Sequence, residues 1–435
     1  MDHCPSPPLQ LDQCTNCPSS LGVDISAAEF NPFDPAFRAN PYPTYAELRT
    51  HDPVHVSQFG FTVLTRYDDV ARTLRGSEFA RDIEAHVTER PDDPRRAWRE
   101  RQRQRIEDGV VAKSILNLDP PDHTRIRRLA SLAFTPSAIE RLRPRVQQLV
   151  DDVLDRAAER GTIELVEELA FPVPFQVISD MLALPTEGSE QIRDWSQTLT
   201  ASLEPTADEA TLDATEVAAA AMGEYLRTVI DHRRSHLGDD LLSALIVAEE
   251  EGDRLSPAEL LSFVVLLYVA GHETTVNLIG NGTLALLHNR DQLRRWADDA
   301  SLDNNAIDEL LRFDGPVQQT VRVPTVDVTY AAADGGEVLV PKGTLVMTVL
   351  GAASHDPVVF ESPEQLRLDR PNASRHLGFA AGVHYCLGAS LAKLETSVAI
   401  TSLIRRFPEV QLAGEPTWRD RLTIRGVDHL PLTVR

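Results

Sequence analysis

The chain has 435 residues, 42% apolar and 25% charged, enough for an ordinary globular core and unlike a disordered or collagen-like composition. Its net charge of −23 argues against nucleic-acid binding and against docking on anionic lipid, because both surfaces are themselves polyanionic. The opening MDHCPSPPLQ lacks the apolar core of a secretory leader, which predicts a cytoplasmic location. The most apolar stretch, 261–271, is cut off by His272 and Glu273, short of the roughly 20 residues that span a bilayer.

Residues 1–25 are rich in Pro, Ser and Cys and lack periodicity, which reads as a flexible tail ahead of a single domain over 26–435. Cys14 and Cys17 form a Cys-x-x-Cys pair, but a second ligand pair for a metal is missing. Helical periodicity at 139–160, 216–237, 257–290 and 389–406, with short β-branched runs at 54–65, 325–330, 338–348 and 422–434, predicts a mainly α fold with a minor β part. The stretch 90–105 carries seven arginines. With Asp92, Asp93, Glu100, Glu107 and Asp108 close by, it reads as a self-compensating surface helix, the other use being an acidic partner or a substrate carboxylate.

The best-defined helix is expected from Ser256 to Arg290. Ser256 with Glu259 makes a capping box, Pro257 takes the first helical position, and apolar residues dominate through Ile279. A helix apolar on most faces crosses the middle of a protein, so Gly271-His272-Glu273-Thr274-Thr275 is expected to be buried or to line a cavity. A threonine hydroxyl bonded to the carbonyl of Ala270 would account for that polar group without any function.

Cys386 stands alone, far from Cys4, Cys14 and Cys17, which is no disulfide framework. It follows a glycine-punctuated loop and opens a helix whose apolar stripe is Leu387, Leu391, Leu394 and Val398. Free backbone N–H groups at a helix start favour a thiolate, which serves as nucleophile or metal ligand; a buried inert cysteine is the bland alternative.

The pattern Phe379-x-x-Gly382-x-His384-x-Cys386-x-Gly388 resembles the haem-thiolate loop of the cytochrome P-450 family, in particular its soluble bacterial members. Ala270-Gly271-His272-Glu273-Thr274-Thr275 is similar to the oxygen-binding segment of that family's long central helix, and Glu309-x-x-Arg312 to its Glu-x-x-Arg. Asp119 to Arg127 resembles the start of the helix at the haem edge, and His355-Asp356-Pro357 and Arg322 match as well. The likeness runs over roughly 30–435.

The resemblance implies the cytochrome P-450 fold, with the long helix over haem b, and Cys386 as the thiolate ligand of its iron. It gives Gly382 and Gly388 the part of letting backbone approach the sulfur, and Phe379 that of shielding it. His123 with Arg127, and Arg322 and His376, become donors to the haem propionates, and His384 of the cysteine loop becomes a further cofactor-binding residue. Glu273 and Thr274 resemble an acid–alcohol pair relaying protons to oxygen, while Glu309 and Arg312 form a buried structural pair. Gln365 stands where many relatives place an arginine, with Arg367 and Arg370 close by as substitutes. Ala380 stands where many have glycine, which implies a slightly different loop, since alanine avoids positive φ.

The implied reaction inserts one atom of O2 into a mostly apolar organic small molecule, by hydroxylation or epoxidation, in secondary, lipid or xenobiotic metabolism. The pocket is expected to draw on 82–112, on positions near 195–203, on Tyr268, Val269 and Ala270, and on Val317, Gln318, Gln319 and Thr320. A peroxide-driven relative would lack the acid–alcohol pair; a haem sensor or carrier would need no relay; a thiol enzyme using Cys386 with His384 or His376 would be colourless. No flavin or nicotinamide fingerprint and no iron–sulfur cysteine set is visible, so an external ferredoxin with its reductase is expected. The resemblance places Arg125, Arg128 and Lys393 at the surface to receive it.

Overall fold

The central helix runs Pro257–His288 in the structure, a computed structural model that describes residues 28–88, 95–131, 134–185, 188–250 and 255–435. The expected tail, with Cys4, Cys14 and Cys17, lies outside the described residues, as do Arg90, Asp92 and Asp93. Both halves of the capping box form: Glu259 N–H donates to Ser256 Oγ at 3.2 Å, and Ser256 N–H to Glu259 Oε2 at 2.7 Å. The helix ends at His288, two residues before the expected end, and Arg290–Asp298 starts a new one.

From Val276 to Leu287 every residue is buried, Asn277, Asn281 and Thr283 included. The helix is long and apolar enough to cross a membrane, yet 72% of its most apolar window is buried inside the protein, which makes it the core helix. Pro172–Leu182, Glu209–Arg234, Asp303–Asp314 and Ala389–Arg406 pack against it.

Ala389–Arg406 has the expected ends. The expected 139–160 helix is two, Pro136–Glu140 and Arg143–Arg160, because Pro144 fits only the first turn of a new helix. The 216–237 periodicity becomes Glu209–Arg234, which starts earlier under an Asp208 cap and ends three residues sooner.

In the main sheet the central strand Leu345–Val349 runs parallel to Phe61–Leu64 and antiparallel to Gln319–Pro324; Val54–Val56 and Phe79–Ala80 are its edges. The 54–65 run is thus a hairpin. The 338–348 run breaks at Pro341-Lys342-Gly343, where Gly343 takes φ +80°. Residues 325–330 contribute only Val328–Ala331, and 422–434 splits into Val427–His429 and Pro431–Thr433.

The arginine-rich segment forms the helix Arg96–Glu107, whose one buried residue is Arg99. Its charges are compensated from within the segment and from outside it: Arg103 meets Glu100 at 3.6 Å, Arg101 meets Asp213 at 2.6 Å and Glu216 at 3.4 Å, Arg105 meets Glu216 at 3.9 Å, and Arg99 meets Glu84 at 3.9 Å.

Under the cysteine loop lies a buried cluster of three charges. Arg312 donates to both oxygens of Glu309 at 2.7 and 2.9 Å, and Arg370 Nε donates to the same carboxylate at 2.9 and 3.1 Å. Arg370 therefore replaces the arginine missing at Gln365, whose carbonyl receives Arg312 and Arg370 at 3.1 and 3.0 Å. Arg367 gives Glu309 only its backbone N–H, at 2.9 Å. Removing one partner of a buried ion cluster strands the other charge, so Arg370→Ala should cost about 3–5 kcal/mol. Arg367→Ala should stay within about 0.5 kcal/mol. Denaturant melts of the two variants compare them directly.

Candidate functional site

A cavity of about 290 Å³ opens between the central helix and the cysteine loop. The central helix faces it with Phe263, Leu266, Leu267, Ala270, Gly271, Thr274, Thr275 and Leu278, the stripe that a 3.6-residue period draws. Three consecutive residues cannot share that stripe. Of the expected Tyr268, Val269 and Ala270, only Ala270 lines the cavity. Tyr268 turns to the other side, its hydroxyl 3.2 Å from Ser179 Oγ, and Val269 is buried off the stripe.

Val317 and Thr320 line the wall, as expected, and Gln318 does not: its Nε2 donates to Gly315 O at 2.8 Å and Tyr42 Oη at 3.1 Å. None of the described residues of 82–112 or 195–203 lines the cavity; Ile115 and Leu116, just beyond, do so instead.

Thr274 Oγ1 donates to Ala270 O at 3.3 Å, the bond that needs no function, yet the side chain stands on the cavity wall. Glu273, one residue back, faces away from the cavity. It is 1% exposed, and its carboxylate accepts from the Arg419 guanidinium, a partner that sequence reasoning missed.

Cys386 presents its sulfur to the cavity, and its backbone N–H donates to Phe379 O at 3.0 Å. Exposed on the cavity side, the thiol is otherwise packed in protein. That burial pushes its pKa up, while the Gly388 N–H and the Arg127 guanidinium draw it down. Gly388 lines the cavity, and a Cβ there would meet nothing within 4 Å, the Cys386 sulfur included.

Gly382 acts elsewhere than expected. It is absent from the cavity wall, takes φ +72°, and packs so tightly on the helix Tyr67–Arg75 that a Cβ would lie 2.4 Å from Leu74 O. Ala380 adopts φ +56° despite its Cβ, held by an N–H bond to Leu377 O at 2.8 Å, so the loop keeps a glycine-like backbone without the glycine. Phe379 lines the cavity with its ring centroid 5.9 Å from Lys393 Nζ.

Arg127, Arg322, His123 and His384 reach the cavity, and Arg81, which sequence reasoning passed over, joins them. His376 does not. Its Nε2 lies 3.3 Å from Asp308 Oδ1 and its Nδ1 accepts the Gly378 N–H at 3.0 Å, so it braces the start of the loop. Burial and the mutual repulsion of these groups push His384 down to about 3 and Arg322 to about 9; burial pushes Arg81 to about 10. No carboxylate is among the described lining residues, although Asp119 lies near Arg81 and Arg322. His123 Nδ1 and His384 Nε2 are buried without a partner, their rings 4.2 Å apart.

Orphaned donors and clustered cations fit a planar cofactor that carries two carboxylates, and a sulfur at a helix start fits its metal. These are the features of a haem-thiolate site.

The profile of the cytochrome P-450 family matches residues 80–420. Cytochrome P-450 107B1 of Saccharopolyspora erythraea is 40% identical over 92% of this chain and 96% of that protein. The vitamin D(3) 25-hydroxylase of Pseudonocardia autotrophica is 38% identical over 92% and 96%. The crystal structure of Mycobacterium smegmatis CYP164A2 superposes with a TM-score of 0.82 at 38% identity, covering 93% of this chain and 98% of that one. The chain belongs to the cytochrome P-450 family. It is a monooxygenase that uses O2 and an organic small molecule, and it binds haem b with Cys386 as the axial thiolate.

Cys386→His should therefore abolish the red-shifted Soret band of the ferrous carbon monoxide complex, whereas Cys14→Ser and Cys17→Ser keep it. Gly382→Ala, forced against Leu74 O, should purify with most of its haem lost, measured as haem per protein.

Proposed function

We propose that the chain, with 26–435 as one catalytic domain in the cytoplasm, hydroxylates or epoxidises an uncharged, largely apolar molecule of secondary metabolism, with Glu273 and Thr274 as its proton relay. The observation that carries this is the wall away from the cations. Ile115, Leu116, Phe263, Leu266, Leu267 and Val317 are apolar, and Thr274 and Thr275 are the uncharged polar groups among them, while Thr320 accepts from Arg322 Nη1 at 3.3 Å on the cationic side. The relative from Pseudonocardia autotrophica, named for hydroxylating vitamin D(3), supports a substrate of that character.

The haem iron supplies the activation of O2; the chain supplies position, dryness and protons. His123, Arg127, Arg322, His384 and Arg81 would hold the two propionates, which cancel the positive potential those groups create together. Gly388 N–H and Arg127 favour Cys386 as thiolate. The apolar wall excludes water, so protons must arrive through fixed groups. Thr274 Oγ stands on the wall as the last donor, and Glu273, its neighbour in sequence, is the carboxylate that replenishes it. Thr274→Ala should leave haem content and the substrate-induced spectral shift nearly unchanged while product per reduced nicotinamide falls several-fold and peroxide rises in step. Full coupling in both Thr274→Ala and Glu273→Gln would overturn the relay.

Electrons are proposed to come from an external ferredoxin and its reductase, docking beside the cysteine loop. Two of the three expected basic contacts are occupied: Arg125 pairs with Glu259 and Lys393 with Asp308, each at 2.5 Å. Arg128 is exposed, makes no ion pair among the described residues, and stands on the same helix as Arg127; Val383 of the loop is 54% exposed. Arg128→Glu should slow the first electron transfer several-fold, most at low salt, with substrate affinity unchanged in a spectral titration.

A further inference from the structure

Glu204 stands in the turn after the helix Ser189–Ala201 and is not among the residues that line the cavity. The chain tightens past Ala201. The N–H groups of Ser202, Leu203 and Glu204 donate to the carbonyls of Leu199, Thr200 and Ala201 at 3.4, 3.1 and 3.2 Å, which winds Glu204 into a buried position, 6% exposed.

Peptide groups from the far end of the chain fill its carboxylate. Leu422 N–H donates to Oε2 at 3.0 Å, Thr423 N–H is shared between Oε1 at 3.1 Å and Oε2 at 3.0 Å, and Ile424 N–H reaches Oε1 at 3.4 Å. Thr423 Oγ1 donates to Leu203 O at 3.1 Å, and Arg421 donates to Thr200 Oγ1 at 2.7 Å and Gln197 O at 2.8 Å. The carbonyl of Glu204 accepts the Arg95 guanidinium, and Arg95 is the residue that opens the helix Arg96–Glu107. One residue thus joins three segments that are remote in sequence. Charge-assisted hydrogen bonds to a buried carboxylate are directional, so this joint fixes where 422–424 stands, a task that apolar contact does not perform.

The captured segment backs the cavity wall. Arg425 N–H donates to Pro316 O at 2.8 Å and Gln318 N–H to Thr423 O at 3.0 Å, with Val317 and Ile424 paired antiparallel between them. Gln319 Nε2 adds a bond to Thr423 Oγ1 at 3.0 Å. Pro316 and Val317 line the cavity, and Ile424 lies buried behind them. From the Glu204 carboxylate to Val317 the path is one strand wide: peptide N–H groups on one edge of 422–424, ladder bonds on the other. A displacement of 422–424 therefore carries Pro316 and Val317 with it.

We propose that Glu204 is a positioning residue for substrate specificity: by holding 422–424 it sets where Pro316 and Val317 stand, and so how large a molecule the apolar side of the cavity holds tightly. This rests on the reading of that apolar wall as the substrate's. Glu204 acts only through the wall, and no bond is made or broken at it.

The test compares two ligands of different size on the haem-loaded protein. Imidazole and econazole both bind ferric haem through an azole nitrogen; imidazole needs little of the cavity, whereas econazole carries large apolar rings that need the wall. In Glu204→Gln an NH2 donor replaces one acceptor oxygen and faces the N–H groups of 422–424, which breaks the joint. Its econazole dissociation constant, from a Soret titration, should rise several-fold. The imidazole constant, haem per protein and the ferrous carbon monoxide band should stay at wild type. Arg421→Gln loosens the same joint from its other side and should show the same size-dependent loss, which keeps the test decisive if Glu204→Gln is not recovered with haem.

Wild-type affinity for econazole in both variants would overturn the inference. So would an equal loss for both azoles, or a lowered melting temperature with the econazole-to-imidazole ratio unchanged, since each describes a clamp that stabilises the fold without shaping the cavity. Wild-type protein that binds imidazole and not econazole is the separate result that removes the apolar-wall reading itself.

Discussion

A helix turns about 100° per residue, and in Pro257–His288 that rotation decides what every neighbour must be. One stripe faces the cavity and is apolar apart from two threonines. The side behind it carries His272, Glu273, Asn277 and Asn281, all buried, and each requires an answering group from another part of the chain. Asn281 finds Val427 N–H and the carbonyls of Asp314 and Arg425; Glu273 finds Arg419. The C-terminal segment is therefore more than an edge to the fold. It supplies the partners of Glu273 and Asn281 on the polar back of the central helix, and without it the residue next to Thr274 would be an uncompensated buried charge.

The cysteine loop depends on a second such arrangement. Glu309 collects Arg312, Arg370 and the N–H of Arg367, while Arg312 and Arg370 spend their remaining donors on the carbonyls of Ser354, Pro363, Gln365, Glu361 and Ser362. Asp308, adjacent to Glu309, receives His376 and Lys393 from either side of the loop. Burial opposes ionisation of Asp308, and those two hydrogen bonds overcome it, holding its carboxyl below the usual range. The helix Asp303–Asp314 thereby fixes the residues before and after Cys386 relative to the central helix, which it also contacts. Positioning the sulfur is a task for a rigid polar cluster, because apolar packing has no preferred direction.

What the sequence disclosed and what it withheld follow the same division. The Cys386 loop, the capping box of the central helix and the start of the helix at Ala389 were legible because each depends on residues adjacent in the chain. Arg81 and Arg419 were not, and Arg370 could not be told from Arg367, because an arginine in a chain that holds so many shows its role only when its partner is near. The pairing of Arg99, Arg101 and Arg105 with Glu84, Asp213 and Glu216 was hidden for the same reason. Tyr268, Val269 and Gln318 were assigned to the cavity as runs of neighbours, where helix and strand periodicity allow only some of each run. Gly382 was legible as a required glycine, but the atom it accommodates, Leu74 O, belongs to a helix three hundred residues earlier in the chain.

The cations around the cavity tie the supply of cofactor to the survival of the polypeptide. Arg81, Arg127 and Arg322 are held close together with His123 and His384, and their own field already lowers the proton affinity of His384 and Arg322. Two propionates remove that repulsion, so haem acts as a stabilising ligand whose effect grows with its free concentration, by about 4 kcal/mol at a thousandfold excess over Kd. That is a large fraction of a typical margin between folded and unfolded protein. A cell short of haem would then hold less of this enzyme as well as less of it loaded, since the unloaded chain opens more often and is exposed to proteolysis each time.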